Sequence, residues 1–145
     1  MPNGKTHDKI TIFFIPILLG ILVILGLPLI SIIILSISFL IGSFMFNGDL
    51  DIHSRPYRRW WLLRWIWLPY QNTFSHRSFF THGLIIGTLI RLIYVGIIPL
   101  IIMIFLGIDF QFLFSKTMLL FYIGLELGSA LHTVSDYIWS FFKKY

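Results

Sequence analysis

His132 and Asp136 stand four residues apart in GSALHTVSDYIW, residues 128–139, within an otherwise apolar stretch. On a helix that spacing puts both side chains on one face, a turn apart. An imidazole and a carboxylate are costly in hydrocarbon, so such residues face a bundle interior or mark a functional site. Two chemistries fit the pair: a His–Asp hydrogen bond that ties helices together, or part of a metal site. The other histidines and aspartates bear on the choice. His7 and Asp8, Asp49-x-Asp51 with His53, and His76 with His82 all fall beside apolar runs rather than within them. The chain has no cysteine, so thiolate ligands are excluded. Three Asp and at least three His make a nitrogen and oxygen ligand set that suits zinc, iron or manganese. It is large enough for two ions, and paired ions activate water for hydrolysis.

Each candidate also has a plainer role. Thr6 and Asp8 can cap a first helix, and Asp49/Asp51 can form a solvated turn. His53 can bond its own loop, while His76 and His82 flank aromatics and suit an interface. Arg77, beside His76, reads as a partner for a carboxylate or a substrate anion.

The elements that must position these groups are membrane helices. The 145 residues are 57% hydrophobic and only 12% charged, against about a quarter charged in soluble domains. Residues 10–27, 29–46, 83–107 and 117–142 are apolar runs near the roughly 20 residues of a crossing helix. Pro28 separates the first two runs, although one long kinked helix also fits the pattern. Pro99 should kink the third run, and Lys143 and Lys144 give the fourth a cationic end that suits the helix dipole. Gly83-xxx-Gly87 and Gly124-xxx-Gly128 permit close helix approach. Residues 55–71, RPYRRWWLLRWIWLPYQ, combine Trp, Tyr and Arg between two prolines and read as a short interfacial helix. Arg64 falls opposite the other arginines there and must snorkel or find an acid. Arg91 lies inside the third run and needs Asp136 or Glu126 as a partner, or must snorkel. Glu126 sits too deep for a ligand and reads as a structural partner. The fold class expected is all-α: one polytopic membrane domain, residues 1–145, with about four crossings and an interfacial helix.

Charge sets the expected topology. Of 11 Lys and Arg residues, two precede the first run, five lie in the loop of residues 47–82 and two follow the fourth. The positive-inside rule then puts both termini and that loop in the cytoplasm. The net charge of +5 fits anionic lipid, and no nucleic-acid partner is expected. The amino terminus has the charge and apolarity of a signal sequence but lacks a small-residue cleavage site, so it is expected to be retained. On this topology all five histidines and four of six acidic residues gather at one membrane face.

THD at 6–8, GDLDIHSRPYRRW at 48–60, HRSFFTHG at 76–83 and HTVSD at 132–136 resemble a family of bacterial metal-binding membrane proteins of unknown function. The pattern is also similar to related inner-membrane-associated metal-dependent hydrolases and, distantly, to zinc-dependent phospholipase C. The resemblance implies His7, Asp49, Asp51, His76, His82, His132 and Asp136 as metal ligands. His53 departs from the pattern, because Ile52 separates it from the Asp-x-Asp pair. The implied protein lies in the bacterial inner membrane and holds one or two divalent ions, zinc first, with iron or manganese also suited. It would hydrolyse a phosphoester or lipid at the cytoplasmic face, with Arg77 contacting the anion. The alternative is a non-catalytic metal-binding or metal-handling membrane protein.

Overall fold

The computed structural model describes residues 3–142, which are helical and contain no strand. Helix α1 spans Gly4–Ile24. It starts well before the apolar run because the Asn3 side chain caps it, accepting from the Thr6 N–H at 3.0 Å. The cap is therefore Asn3 rather than Thr6 or Asp8. Gly26, at φ +67°, and Pro28 end α1 and begin α2, Leu29–Phe44. Residues 10–46 are thus two helices. Helix α2 stops two residues early because the Asn47 amide donates to the Ser43 carbonyl at 2.6 Å and closes its end. Its 16 residues span about 24 Å at the helical rise, short of the roughly 30 Å hydrocarbon core. A 3₁₀ turn, Gly48–Asp51, follows.

Residues 55–73 form three pieces rather than one interfacial helix: α3, Arg55–Arg59, a 3₁₀ stretch, Trp61–Ile66, and α4, Trp67–Thr73. Trp61 has φ +49° and breaks the continuity. The segment divides by burial as well. Trp61, Leu62, Leu63 and Trp65 are exposed, whereas Trp67 and Tyr70 are fully buried. Among the described residues Arg64 meets no acid; its guanidinium lies over the Trp65 ring at 5.0 Å. Then come the single turn α5, Phe79–His82, and α6, Ile86–Phe105, which continues through Pro99. A 3₁₀ turn, Gln111–Phe114, leads into α7, Lys116–Phe142. The cationic end expected at Lys143 and Lys144 lies outside the described residues.

Helices α1, α6 and α7 are long and apolar enough to cross a membrane, and α2 is apolar but shorter. The tightest packing joins α2 to α7. A Cβ on Gly124 would strike the Ser38 hydroxyl, and one on Gly128 the Phe39 carbonyl. Those two glycines do allow close helix approach. Gly83 and Gly87 serve a turn instead: a Cβ on either would meet backbone carbonyls of Phe79 or Thr81. The buried cluster of Phe46, Leu50, Tyr57, Trp67, Tyr70 and Leu125 sits at the end where α2 finishes and α6 begins. Arg91 is buried there and donates to the Thr81 carbonyl, Thr88 Oγ1 and Ser129 Oγ, rather than pairing with Asp136 or Glu126. Glu126 accepts from the Ile85 N–H at 2.8 Å.

Candidate metal centre

Four segments deliver polar side chains to that end of the bundle. The Asn3 cap starts α1 early enough to place His7 in its first turns. The neighbouring Asp8 carboxylate accepts from Arg55 and Arg59 at 2.7 Å each, tying α1 to α3. Asn47, after closing α2, accepts from the Asp49 N–H at 3.2 Å and starts the 3₁₀ turn. With three residues per turn, Asp49 and Asp51 point in different directions from that turn. Helix α5 supplies His82, and α7 supplies His132 and Asp136.

Four ligand atoms converge. Asp49 Oδ1 lies 3.6 Å from His82 Nε2 and 3.4 Å from His132 Nε2, and His132 Nε2 lies 3.8 Å from Asp136 Oδ2. The four fall within 4.8 Å of one another. Each is shielded from solvent without a hydrogen-bond partner among the described residues. Buried polar atoms are nearly always bonded, so four orphans aimed at one point call for something between them. Ligands at 2.0–2.2 Å from a tetrahedral ion stand about 3.3–3.6 Å apart, close to the separations here. The donors fit a small divalent cation.

The remaining candidates surround these four. Asp51, its side chain fully buried, bonds His76 Nδ1 at 2.8 Å and accepts from the Arg77 N–H at 3.2 Å. It also lies 3.6 Å from His82 Nδ1. His82 thus faces Asp49 through one ring nitrogen and Asp51 through the other, the relation of a ligand histidine to the carboxylate behind it. Asp51, His76 and His82 also form a second group with atoms close enough for an ion. His7 Nε2 lies 3.2 Å from Asp136 Oδ1, the carboxylate oxygen outside the four-atom cluster, and its ring packs 4.0 Å from that of His132. All seven sequence candidates therefore belong to one constellation. His53 does not: it is exposed, its ring packed edge-on against Tyr57.

Burial works to raise the Asp49 carboxyl pKa, but His132 and His82 outweigh it and hold the group well below the usual carboxylate range. The carboxylate is kept ionised, as a ligand must be. A cavity of about 140 Å³ opens beside Asp136 and His82, lined also by Arg77, Thr133, Tyr137 and Ser140. Arg77, at φ +62°, shares that lining with Asp136 and His82.

Sequence reasoning missed four contributors. Asp8 was visible but read as a cap. Asn47 carried a turn signal without its second role at the helix end. Gly48 leaves room for His82, since a Cβ there would lie 2.8 Å from the ring. Thr81, whose hydroxyl is 3.0 Å from His82 Nδ1, stands in the HRSFFTHG motif but was given no role of its own.

Residues 2–145 match the family model described as "Uncharacterized metal-binding protein (DUF2227)". An "Uncharacterized protein" of Aquifex aeolicus (strain VF5) is 32% identical over 130 residues, covering 75% of this chain and 92% of that one. No solved structure matches.

Proposed function

The chain belongs to this family of uncharacterized metal-binding proteins, and from that premise we propose a membrane-embedded, metal-dependent hydrolase of phosphoesters, working where the bilayer meets the cytoplasm. The observation that carries the reading is the cavity shared by Asp136, His82 and Arg77. It joins the orphaned ligand cluster to a cation suited to an anionic group. Its volume suits a phosphoryl group and little more, since drug-sized ligands need 300 Å³ or above. Asp49, His82, His132 and Asp136 would hold the ion, zinc first among the metals these donors suit, with iron or manganese next. A divalent ion there supplies positive charge and an activated water. Asp51 and His7 keep His82 and Asp136 oriented, and Asp51 with His76 offers room for a second ion.

Three helices long and apolar enough to cross, with α2 as a shorter fourth, support the membrane setting. The charge asymmetry supports cytoplasmic termini in a bacterial inner membrane. A phosphoester reaching the site there is most simply a lipid headgroup. A second reading, a non-catalytic metal-binding protein, draws on the four protein atoms around one point, because closed four-ligand sites are structural.

Metal content of detergent-purified protein after dialysis tests the site. The parent should retain a divalent metal. His132→Ala and Asp49→Ala should lower its affinity at least 10- to 100-fold, the loss typical of an outer partner alone, while Arg58→Ala should match the parent. Equal metal in all three variants and the parent, or none in the parent, sinks the metal centre. Phosphate release from a short-chain phosphoester, abolished by Arg77→Ala with metal retained, separates hydrolase from the closed-site reading.

A further inference from the structure

Two deep charges, Arg91 and Glu126, have no place in the ligand set, yet both bond the backbone around His82. We propose that they are positioning residues, a two-point clamp that sets the direction in which His82 faces the metal centre. The inference rests on the metal-centre reading above.

The segment they hold is strained. Between α5 and α6 the chain reverses at Leu84–Ile86, with Ile85 at φ 65°, ψ −57° and the Ile86 N–H donating to the Leu84 carbonyl at 2.7 Å. That is a γ-turn of the rare, strained hand, and a β-branched residue at positive φ is an outlier. Such a backbone persists only where its surroundings over-determine it. Glu126 Oε1 accepts from the Ile85 N–H at 2.8 Å, so α7 holds the turn downstream of His82. Upstream, Arg91 Nη1 donates to the Thr81 carbonyl at 2.7 Å. Its Nη2 donates to Thr88 Oγ1 at 3.0 Å and Ser129 Oγ at 2.7 Å, which fixes the guanidinium. Gly87 keeps the path open: a Cβ there would lie 2.7 Å from the Thr81 oxygen and 3.3 Å from Arg91 Nη1.

The charge signs suit the groups gripped. A cation takes a carbonyl and an anion takes an amide, and both bonds strengthen in a low-dielectric setting. Between the two grips lie only His82, Gly83 and Leu84. The His82 ring, held by Thr81 and facing Asp49 and Asp51, therefore has its backbone fixed from both sides. Ligands must be placed within about half an ångström to work, and a single turn like α5 cannot supply that rigidity alone.

Cobalt(II) binding and amide exchange across residues 83–87 test the clamp in the full chain in detergent. Glu126→Gln keeps an oxygen acceptor and should stay within about threefold of the parent in cobalt affinity, with the same visible spectrum. Glu126→Leu should bind cobalt about 10- to 100-fold more weakly, with an altered spectrum and faster exchange at residues 83–87. Arg91→Lys, which puts one nitrogen in place of the two that grip Thr81 and the Thr88–Ser129 pair, should behave like Glu126→Leu. A leucine variant equal to the parent in both readouts overturns the clamp. So does equal loss in the Gln and Leu variants, because charge rather than the acceptor would then matter. A parent that takes up no cobalt defeats the metal reading, and the exchange contrast alone then decides the clamp.

Discussion

The α2–α7 seam and the residue 76–85 segment both deliver candidate ligands to the same cluster, by opposite means. The seam places Asp49 and, across from it, His132 and Asp136. It does so with small residues: Ser38, Gly124 and Gly128 let the two backbones touch. Between apolar helices in lipid, hydrophobicity gives no net attraction, so close packing must supply it. The 76–85 segment places His76 and His82 mainly through polar bonds, with Gly48 and Gly87 leaving the room it needs. Its geometry comes from polar bonds to Asp51, Thr81, Arg91 and Glu126. Half of the site is thus set by shape and half by hydrogen bonding, and the two halves should fail differently.

The seam should fail hardest. Gly128→Leu would drive a side chain into the Phe39 carbonyl and the Ser43 amide. Backbone cannot yield as a side chain does, so the helices must part by more than the 1–3 kcal/mol of ordinary overpacking suggests. Asp49 and His132 then separate, and retained metal should fall below detection after dialysis. Gly96→Leu is the control, because nothing lies within 4 Å of a Cβ there. Equal metal loss in both variants would show that the seam has no special part in placing the ligands.

The polar half should fail by degrees. His76→Ala removes one partner of Asp51 but leaves the four orphaned atoms in place. Metal affinity should fall by about tenfold, the low end for an outer partner, and less than in His82→Ala. Competition with a chromogenic chelator measures both. If His76→Ala loses as much as His82→Ala, the Asp51–His76–His82 group holds an ion of its own.

These two halves were not equally legible in the sequence. Gly124-xxx-Gly128 and the His132/Asp136 spacing are periodic, and periodicity survives in a linear string. The all-helical fold and the four apolar runs were readable for the same reason. Glu126 acts through one bond to Ile85, Arg91 through bonds to Thr81, Thr88 and Ser129, and Thr81 through its neighbour His82, and none of these leaves a period along the chain. The Trp-rich segment misled in part: composition made all of it interfacial, yet Trp67 and Tyr70 belong to the core. Residue type cannot distinguish an aromatic that covers lipid from one that fills the space beneath a site. The early start of α1 was missed because Asn3 caps it before the apolar pattern begins.

The exposed part of that segment gives the smallest effect on the centre. Trp61, Leu62, Leu63 and Trp65 project outward, and none bears a ligand. Trp and Arg favour the headgroup layer, so these side chains should anchor residues 61–66 against the bilayer without touching the metal. Trp61→Glu with Trp65→Glu should raise protease cleavage in this segment in vesicles, while metal content stays at the parental level. A cysteine at Thr73 reports the side on which the segment lies, and the charge asymmetry requires labelling from the cytoplasmic side alone. Labelling from the external side would sink that topology. Unchanged cleavage in the double variant would remove the anchor, and a fall in metal would mean that the exposed turn is coupled to Asp49 and Asp51 through α3. The anchored and buried faces meet within one turn, between Trp65 and Trp67. A clean separation of the two readouts would therefore place the boundary between membrane contact and site support at that turn.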